Sequence, residues 1–84
     1  MTEMEIANEV RRIIAHVAPD VDPAVIRPDE DIRRSLGIDS FDHLRILTAI
    51  GERYGLEIPE SDHAGLRTVT GMTTYILVRG HKRA

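Results

Sequence analysis

The fold of this chain is set around the stretch Leu36-Gly37-Ile38-Asp39-Ser40-Phe41-Asp42, which leads into a helix in the middle of the sequence. Apolar side chains then recur at helical spacing, at Phe41, Leu44, Leu47, Ile50 and Tyr54. Asp39 is suited to accept hydrogen bonds from the backbone N–H groups of the first turn, and Gly55 to end the helix in a left-handed conformation. The sequence therefore predicts an amphipathic helix from about Ser40 to Tyr54. Gly51, inside it, predicts close packing against a neighbouring element.

Ser40 falls at the first position of this predicted helix, beside the positive end of the helix dipole. An anionic group attached to its hydroxyl, such as a phosphodiester, is favoured there. His43 lies three residues on, but the stretch lacks a G-x-S-x-G turn and a chain this small has little room for a water-excluded pocket. We therefore interpret Ser40 as an attachment point rather than a nucleophile, and expect His43 to be partly exposed. From the residue alone, a plain helix-start serine remains open.

Two further helices are predicted at the ends of the chain. Thr2 and Glu5 fit a capping box for a first helix, which Pro19 ends. Its apolar face is formed by Ile6, Val10, Ile13, Ile14 and Val17. Thr70 is suited to cap a last helix that ends near Gly80.

The segments between these helices carry weaker signals. The long connection from Pro19 to Asp39 contains several apolar residues, so we predict an ordered, packed loop with one helical turn near Asp29 to Arg34. Glu60 to Ala64 predicts a short third helix. We expect an all-α fold: a small four-helix bundle with a long ordered loop between helices 1 and 2, forming one domain over residues 1–84 with a frayed basic tail from about residue 80.

Composition excludes several functions. The chain has 84 residues, a net charge of −3 and no cysteine, so it has neither a disulfide nor a thiol of its own. Its four histidines lack metal-ligand spacing, and we predict no metal site. The segment 39–62 carries about −4, which disfavours nucleic acid. The acidic N-terminus and the lack of an apolar run of roughly 18 residues predict a cytoplasmic protein without membrane insertion, and we expect a monomer.

The stretch Leu36-Gly37-Ile38-Asp39-Ser40-Phe41 resembles the L-G-x-D-S-L signature of acyl carrier proteins, in which the serine bears 4′-phosphopantetheine. The resemblance extends over nearly the whole chain. Pro28-Asp29 precedes the signature as in the family, and Leu56-Glu57-Ile58-Pro59 stands where carrier proteins place a similar E-I-P stretch. Thr68-Val69 and Tyr75-Ile76 look like the family's final-helix pattern.

The resemblance implies a non-catalytic carrier. Ser40 would be modified by a phosphopantetheinyl transferase, with Asp39 as the capping residue of the motif, and acyl groups would travel as thioesters on the arm. Further partners would be acyl-loading and acyl-transfer or condensing enzymes. The expected lining of an acyl cavity is Leu44, Leu47, Ile50, Ile58, Ala64 and Tyr75.

Departures from the family pattern indicate a specialised member. Phe41 replaces the usual leucine, and Arg45 stands where fatty-acid carriers usually place a glutamate, so partners with basic patches would lose attraction. With Asp42 and Glu52, these residues are our candidates for partner recognition. We expect a stand-alone carrier for a specialised fatty-acid, lipid or polyketide-type pathway. The alternatives are an aminoacyl or peptidyl carrier, which Ile38-Asp39 disfavours, and an unmodified helical interaction module.

Overall fold

The structure, a computed structural model, describes residues 2–80. Its helices are α1 (Glu3–Val17), α2 (Ile32–Ser35), α3 (Ser40–Tyr54) and α4 (Val69–Arg79), with 3₁₀ segments at Pro23–Val25 and Glu60–Gly65. No strand occurs within residues 2–80, and the predicted all-α bundle is confirmed. The short third helix expected at Glu60 to Ala64 is the second 3₁₀ segment. All but the start of the expected basic tail lies outside the described residues.

The caps of α1 and α3 are those predicted from the sequence. Thr2 Oγ1 accepts from the Glu5 backbone N–H at 3.1 Å, and Glu5 Oε1 accepts from the Thr2 N–H at 2.7 Å, which completes the capping box. The α3 helix begins at Ser40 and ends at Gly55, whose φ of 66° is the left-handed stop. Local hydrogen bonding therefore fixes both helices at the expected residues.

The predicted cap of α4 was wrong by two residues. Thr68, not Thr70, accepts the backbone N–H of Gly71, at 2.9 Å. The hydroxyl of Thr70 instead donates to Asp29 Oδ1 at 3.1 Å, and its backbone N–H donates to the Pro28 carbonyl at 3.0 Å. Thr70 thus ties the long loop to the start of α4.

The long loop is ordered and packed, as predicted. Its helical turn is α2, and the Ile32 backbone N–H donates to the Arg67 carbonyl at 2.9 Å. Ile26, Ile32 and Ile38 are buried in the core, whereas Val25, another apolar residue of the loop, is 63% exposed. The buried isoleucines hold the loop against the bundle, so its end presents residues 39 and 40 in a fixed position.

The core lies between α1, α3 and α4, and the face that α3 buries differs from the predicted one. His43, Ile46, Leu47 and Ile50 are the buried residues of α3, a stripe at helical spacing. Phe41 is 72% exposed and Leu44 is 46% exposed. The first turn of α3 therefore turns two apolar side chains away from the core. Within residues 2–80, no helix is both long and apolar enough to span a bilayer.

Candidate attachment site at the start of α3

Ser40 is the first residue of α3 and is exposed, directly after a well-formed cap. Asp39 Oδ1 accepts from the Asp42 backbone N–H at 2.8 Å, and the Asp39 carbonyl accepts from the His43 N–H at 2.9 Å. The earlier N–H groups of the first turn, those of Ser40 and Phe41, have no intrahelical acceptor. They lie at the positive end of the helix dipole, which favours an anion on the Ser40 hydroxyl.

The chain before Ser40 is held by a turn and a buried anchor. Gly37 has a φ of 66°, a conformation that a side chain would strain, and it separates α2 from the buried Ile38. The carbonyl of Ile38 accepts from Nε of Arg33 at 3.3 Å. Arg33 on α2 therefore stabilises the backbone just before Ser40.

An open groove of about 820 Å³ is lined by Ser40 and lies between the start of α3, α2 and the 3₁₀ segment Glu60–Gly65. Its apolar lining comes from Phe41, Leu44, Ile58 and Ala64, and its polar lining from Arg33, Ser40, His43, Glu60, His63 and Arg67. No local sequence motif marks Arg33, Glu60, His63 or Arg67, so the sequence alone does not indicate their place in the groove. The "E-I-P" stretch pointed only to Ile58.

The structure brings together some of the six expected cavity residues and separates others. Leu44, Ile58 and Ala64 line the Ser40 groove, and Leu47 lines an adjoining recess of about 300 Å³ that shares Leu44 and Ile58. Ile50 is 1% exposed and belongs to the core.

Tyr75 lies in a different cleft, between α4 and the Glu60–Gly65 segment. Its hydroxyl donates to Asp62 Oδ2 at 2.7 Å, and Arg79 stacks on its ring with 4.8 Å between the guanidinium carbon and the ring centroid. Burial and the bond to Asp62 raise the pKa of Tyr75. Tyr75 therefore holds the 3₁₀ segment against α4 instead of lining the groove.

The expectation of a partly exposed His43 was wrong. His43 is 6% exposed, and its Nε2 lies 2.7 Å from the Leu66 carbonyl oxygen. Because this bond occupies Nε2 on the core side, His43 acts as a structural link between α3 and the segment before α4. Its burial also sets which face of α3 packs inward.

The four candidate recognition residues lie along α3. Phe41 is exposed at the first turn, and Glu52 is exposed three turns later. Asp42 Oδ1 and Arg45 Nη1 are 3.3 Å apart, an ion pair within one turn. Arg45 thus offsets the charge of Asp42 on an otherwise acidic stretch of the chain.

Asp31 organises the charged wall of the groove. It caps α2 by accepting the backbone N–H of Arg33 at 3.0 Å, and its Oδ2 pairs with Arg67 Nη2 at 3.0 Å. Burial raises the pKa of Asp31, but the hydrogen bonds from Arg67 and from the α2 backbone outweigh it, so the pKa lies below its usual range. Asp31 is therefore ionised at neutral pH and holds Arg67 in place. Within residues 2–80, no group of three metal-ligating side chains is placed to hold a metal ion.

These features fit a phosphopantetheine arm. Ser40 is exposed, the N–H groups at the start of α3 suit a phosphodiester, and the groove offers polar groups and apolar surface for the amides and methyl groups of the arm. The arm would also supply the thiol that the sequence lacks.

Comparison with known proteins agrees with this geometry. The domain family described as "Phosphopantetheine attachment site" matches residues 8–76. A meromycolate extension acyl carrier protein of Mycobacterium leprae is 37% identical over 76 residues, which span 90% of this chain but only 65% of that protein. An acyl carrier protein of Campylobacter hominis is 36% identical over 76 residues, covering 87% of this chain and 91% of that protein.

A solved structure of the acyl carrier protein from Enterococcus faecalis has the same fold. The TM-score is 0.76 at 25% identity, and the match covers 93% of this chain and 98% of that chain. The chain therefore belongs to the acyl carrier protein family, whose phosphopantetheine attachment domain carries 4′-phosphopantetheine covalently on a serine.

Proposed function

We propose that Ser40 is the serine that carries the 4′-phosphopantetheine arm, and that acyl groups are bound to the arm as thioesters. The observation that carries this proposal is the position of Ser40, which is exposed at the capped start of α3 and lines the groove. Asp39 serves as the cap that exposes the hydroxyl. The family match over residues 8–76 supports the presence of an arm, and the geometry at the start of α3 supports its attachment to Ser40.

The test is modification by a broad-specificity phosphopantetheinyl transferase with coenzyme A, followed by measurement of the intact mass. The wild-type chain should gain one phosphopantetheine, and Ser40→Ala should gain none. Ser61→Ala is a matched control, because Ser61 is also exposed and lies on the neighbouring 3₁₀ segment; it should be modified like the wild type. No mass gain with several transferases would contradict the proposal.

The carrier itself performs no catalysis in this proposal. His43 is the nearest candidate base in sequence, but its Nε2 is engaged by the Leu66 carbonyl and its side chain is buried. The contribution of the chain is to tether an acyl group at a high effective concentration and present it to successive enzymes. A single domain over residues 1–84, a cytoplasmic location and a monomeric state remain predictions.

The pathway is the finer part of the proposal. We propose a specialised lipid or fatty-acid pathway whose enzymes recognise Phe41 and the Asp42–Arg45 pair, with Glu52 further along α3. The exposed aromatic ring offers an apolar contact beside Ser40, and Arg45 repels the basic patches that an acidic helix would attract. The meromycolate extension carriers among its relatives support a lipid cargo.

Partner choice is tested with general fatty-acid enzymes and the holo-protein. Arg45→Glu should raise turnover by those enzymes, and Arg45→Gln should raise it less, because it removes the repulsion without adding attraction. Unchanged turnover in both variants would show that discrimination does not depend on Arg45. Phe41→Leu, assayed in the same way, would then test the exposed ring.

A further inference from the structure

We propose that Arg33 binds the phosphodiester that joins the arm to Ser40; this rests on the proposed attachment at Ser40. Arg33 and Ser40 both line the groove. The Nε of Arg33 donates to the Ile38 carbonyl, two residues before Ser40, at 3.3 Å. That bond holds the guanidinium beside the attachment point and leaves both Nη groups to bind an anion.

The charges around the groove favour Arg33 over the other arginine of the lining. Arg67 is committed to Asp31, with Nη2–Oδ2 and Nε–Oδ1 distances of 3.0 and 3.2 Å. Within residues 2–80, no carboxylate lies within 4.0 Å of the Arg33 guanidinium. Arg33 is thus a cation of the groove that lacks an acidic partner.

The start of α3 and Glu60 together limit where in the groove an anion can lie. Asp39 Oδ1 accepts from the Asp42 backbone N–H, and the N–H groups of Ser40 and Phe41 have no intrahelical acceptor. Glu60 lines the groove on the 3₁₀ segment and repels an anion. The most favourable place for the phosphodiester is therefore at the α2 end of the groove, between Arg33 and the start of α3. A guanidinium matches phosphate oxygens with two parallel donors.

This contact also sets the direction of the arm. When the phosphodiester is bound to Arg33, the arm extends from Ser40 into the groove, over Leu44 and Ile58, and does not extend directly into solvent. Leu44 and Ile58 also line the adjoining recess. The cargo thioester is thereby led toward apolar surface while it waits for a partner enzyme.

The experiment compares apo- and holo-protein for the wild type and for Arg33→Gln, Arg33→Lys and Arg34→Gln. Arg34 is the matched control, because it is the next residue of α2, is exposed and does not line the groove. Two quantities are measured at low salt: the holo-minus-apo difference in melting temperature, and the ³¹P chemical shift of the holo-protein. Any general loss of stability in a variant is shared by its apo and holo forms and cancels in the difference.

We expect the arm to raise the melting temperature by about 2–4 °C in the wild type and in Arg34→Gln, an increase that high salt removes. The increase should be lost in Arg33→Gln and partly kept in Arg33→Lys, and the ³¹P shift should move only in the Arg33 variants. If Arg33→Gln keeps the wild-type temperature difference and ³¹P shift, the inference is overturned while attachment at Ser40 stands. Absence of a mass gain in the wild type overturns both.

Discussion

Gly51 lies inside α3 where the chain passes back over the helix, and its replacement by alanine is a sensitive test of the packing that shapes the groove. A Cβ at this position would lie 2.8 Å from the Leu56 carbonyl oxygen and 3.8 Å from the carbonyl carbon. The Leu56 backbone N–H donates to the Gly51 carbonyl at 2.8 Å, and Gly55 donates to the same oxygen. The clash therefore falls on a backbone segment that cannot move without losing hydrogen bonds.

Two opposing effects set the magnitude for Gly51→Ala. Alanine improves helix propensity by about 1 kcal/mol. Overpacking against a fixed neighbour costs about 1–3 kcal/mol. Because the obstacle is main chain, we expect the second effect to win, with a net loss of about 1 kcal/mol in the free energy of unfolding. For a domain of this size, that lowers the melting temperature by roughly 4–8 °C.

Urea and thermal denaturation of the apo-protein measure the effect. Gly65→Ala is the matched control, because a Cβ there meets no atom within 4 Å, and its free energy of unfolding should stay within about 0.5 kcal/mol of the wild type. A Gly51→Ala variant more stable than the wild type would refute the reasoning. It would show that Leu56 yields freely and that helix propensity dominates.

Two further predictions follow from the contacts around α3. His43→Ala should lower the free energy of unfolding by about 1–3 kcal/mol, because it leaves the Leu66 carbonyl without its partner; urea denaturation measures this, and a neutral effect would contradict the structural role. A hydrogen bond from Arg53 at 2.9 Å lowers the pKa of Glu9 in the folded protein. The ionised Glu9 therefore stabilises the fold fully above the ordinary glutamate pKa of about 4.3, and this contribution is lost as the pH falls through the lower pKa of Glu9 in the folded state. The urea midpoint of the wild type should therefore fall more steeply between pH 6 and pH 3 than that of Glu9→Gln; parallel curves would contradict the contribution of this ion pair.

The helices that the sequence located correctly are those whose ends depend on neighbouring residues. The Thr2–Glu5 capping box, the Asp39 cap and the Gly55 stop each use groups within four residues of one another. The prediction of the α4 cap was wrong because two threonines, Thr68 and Thr70, are both close enough in sequence to cap this helix. Thr68 is the capping residue, and Thr70 is instead hydrogen-bonded to Pro28 and Asp29, which are distant in the sequence.

The buried face of α3 likewise depends on a residue that is distant in the sequence. Periodicity favoured Phe41 as the first residue of the buried face of α3, but the buried position is taken by His43, whose ring nitrogen is satisfied by the Leu66 carbonyl. A polar residue is costly to bury unless a partner is supplied, and that partner lies 23 residues away. No local pattern reveals such a partner, so the sequence interpretation kept His43 near the surface.

By itself, the sequence determined that Ser40 stands at a capped helix start, since a helix dipole and a cap arise within one turn. Only the tertiary structure decided what surrounds that serine. Arg33, His63 and Arg67 reach the groove from three separate segments, and Tyr75 is drawn away from it by Asp62. Such neighbours depend on how the buried faces of distant helices pack together, and that packing is settled by the whole core at once.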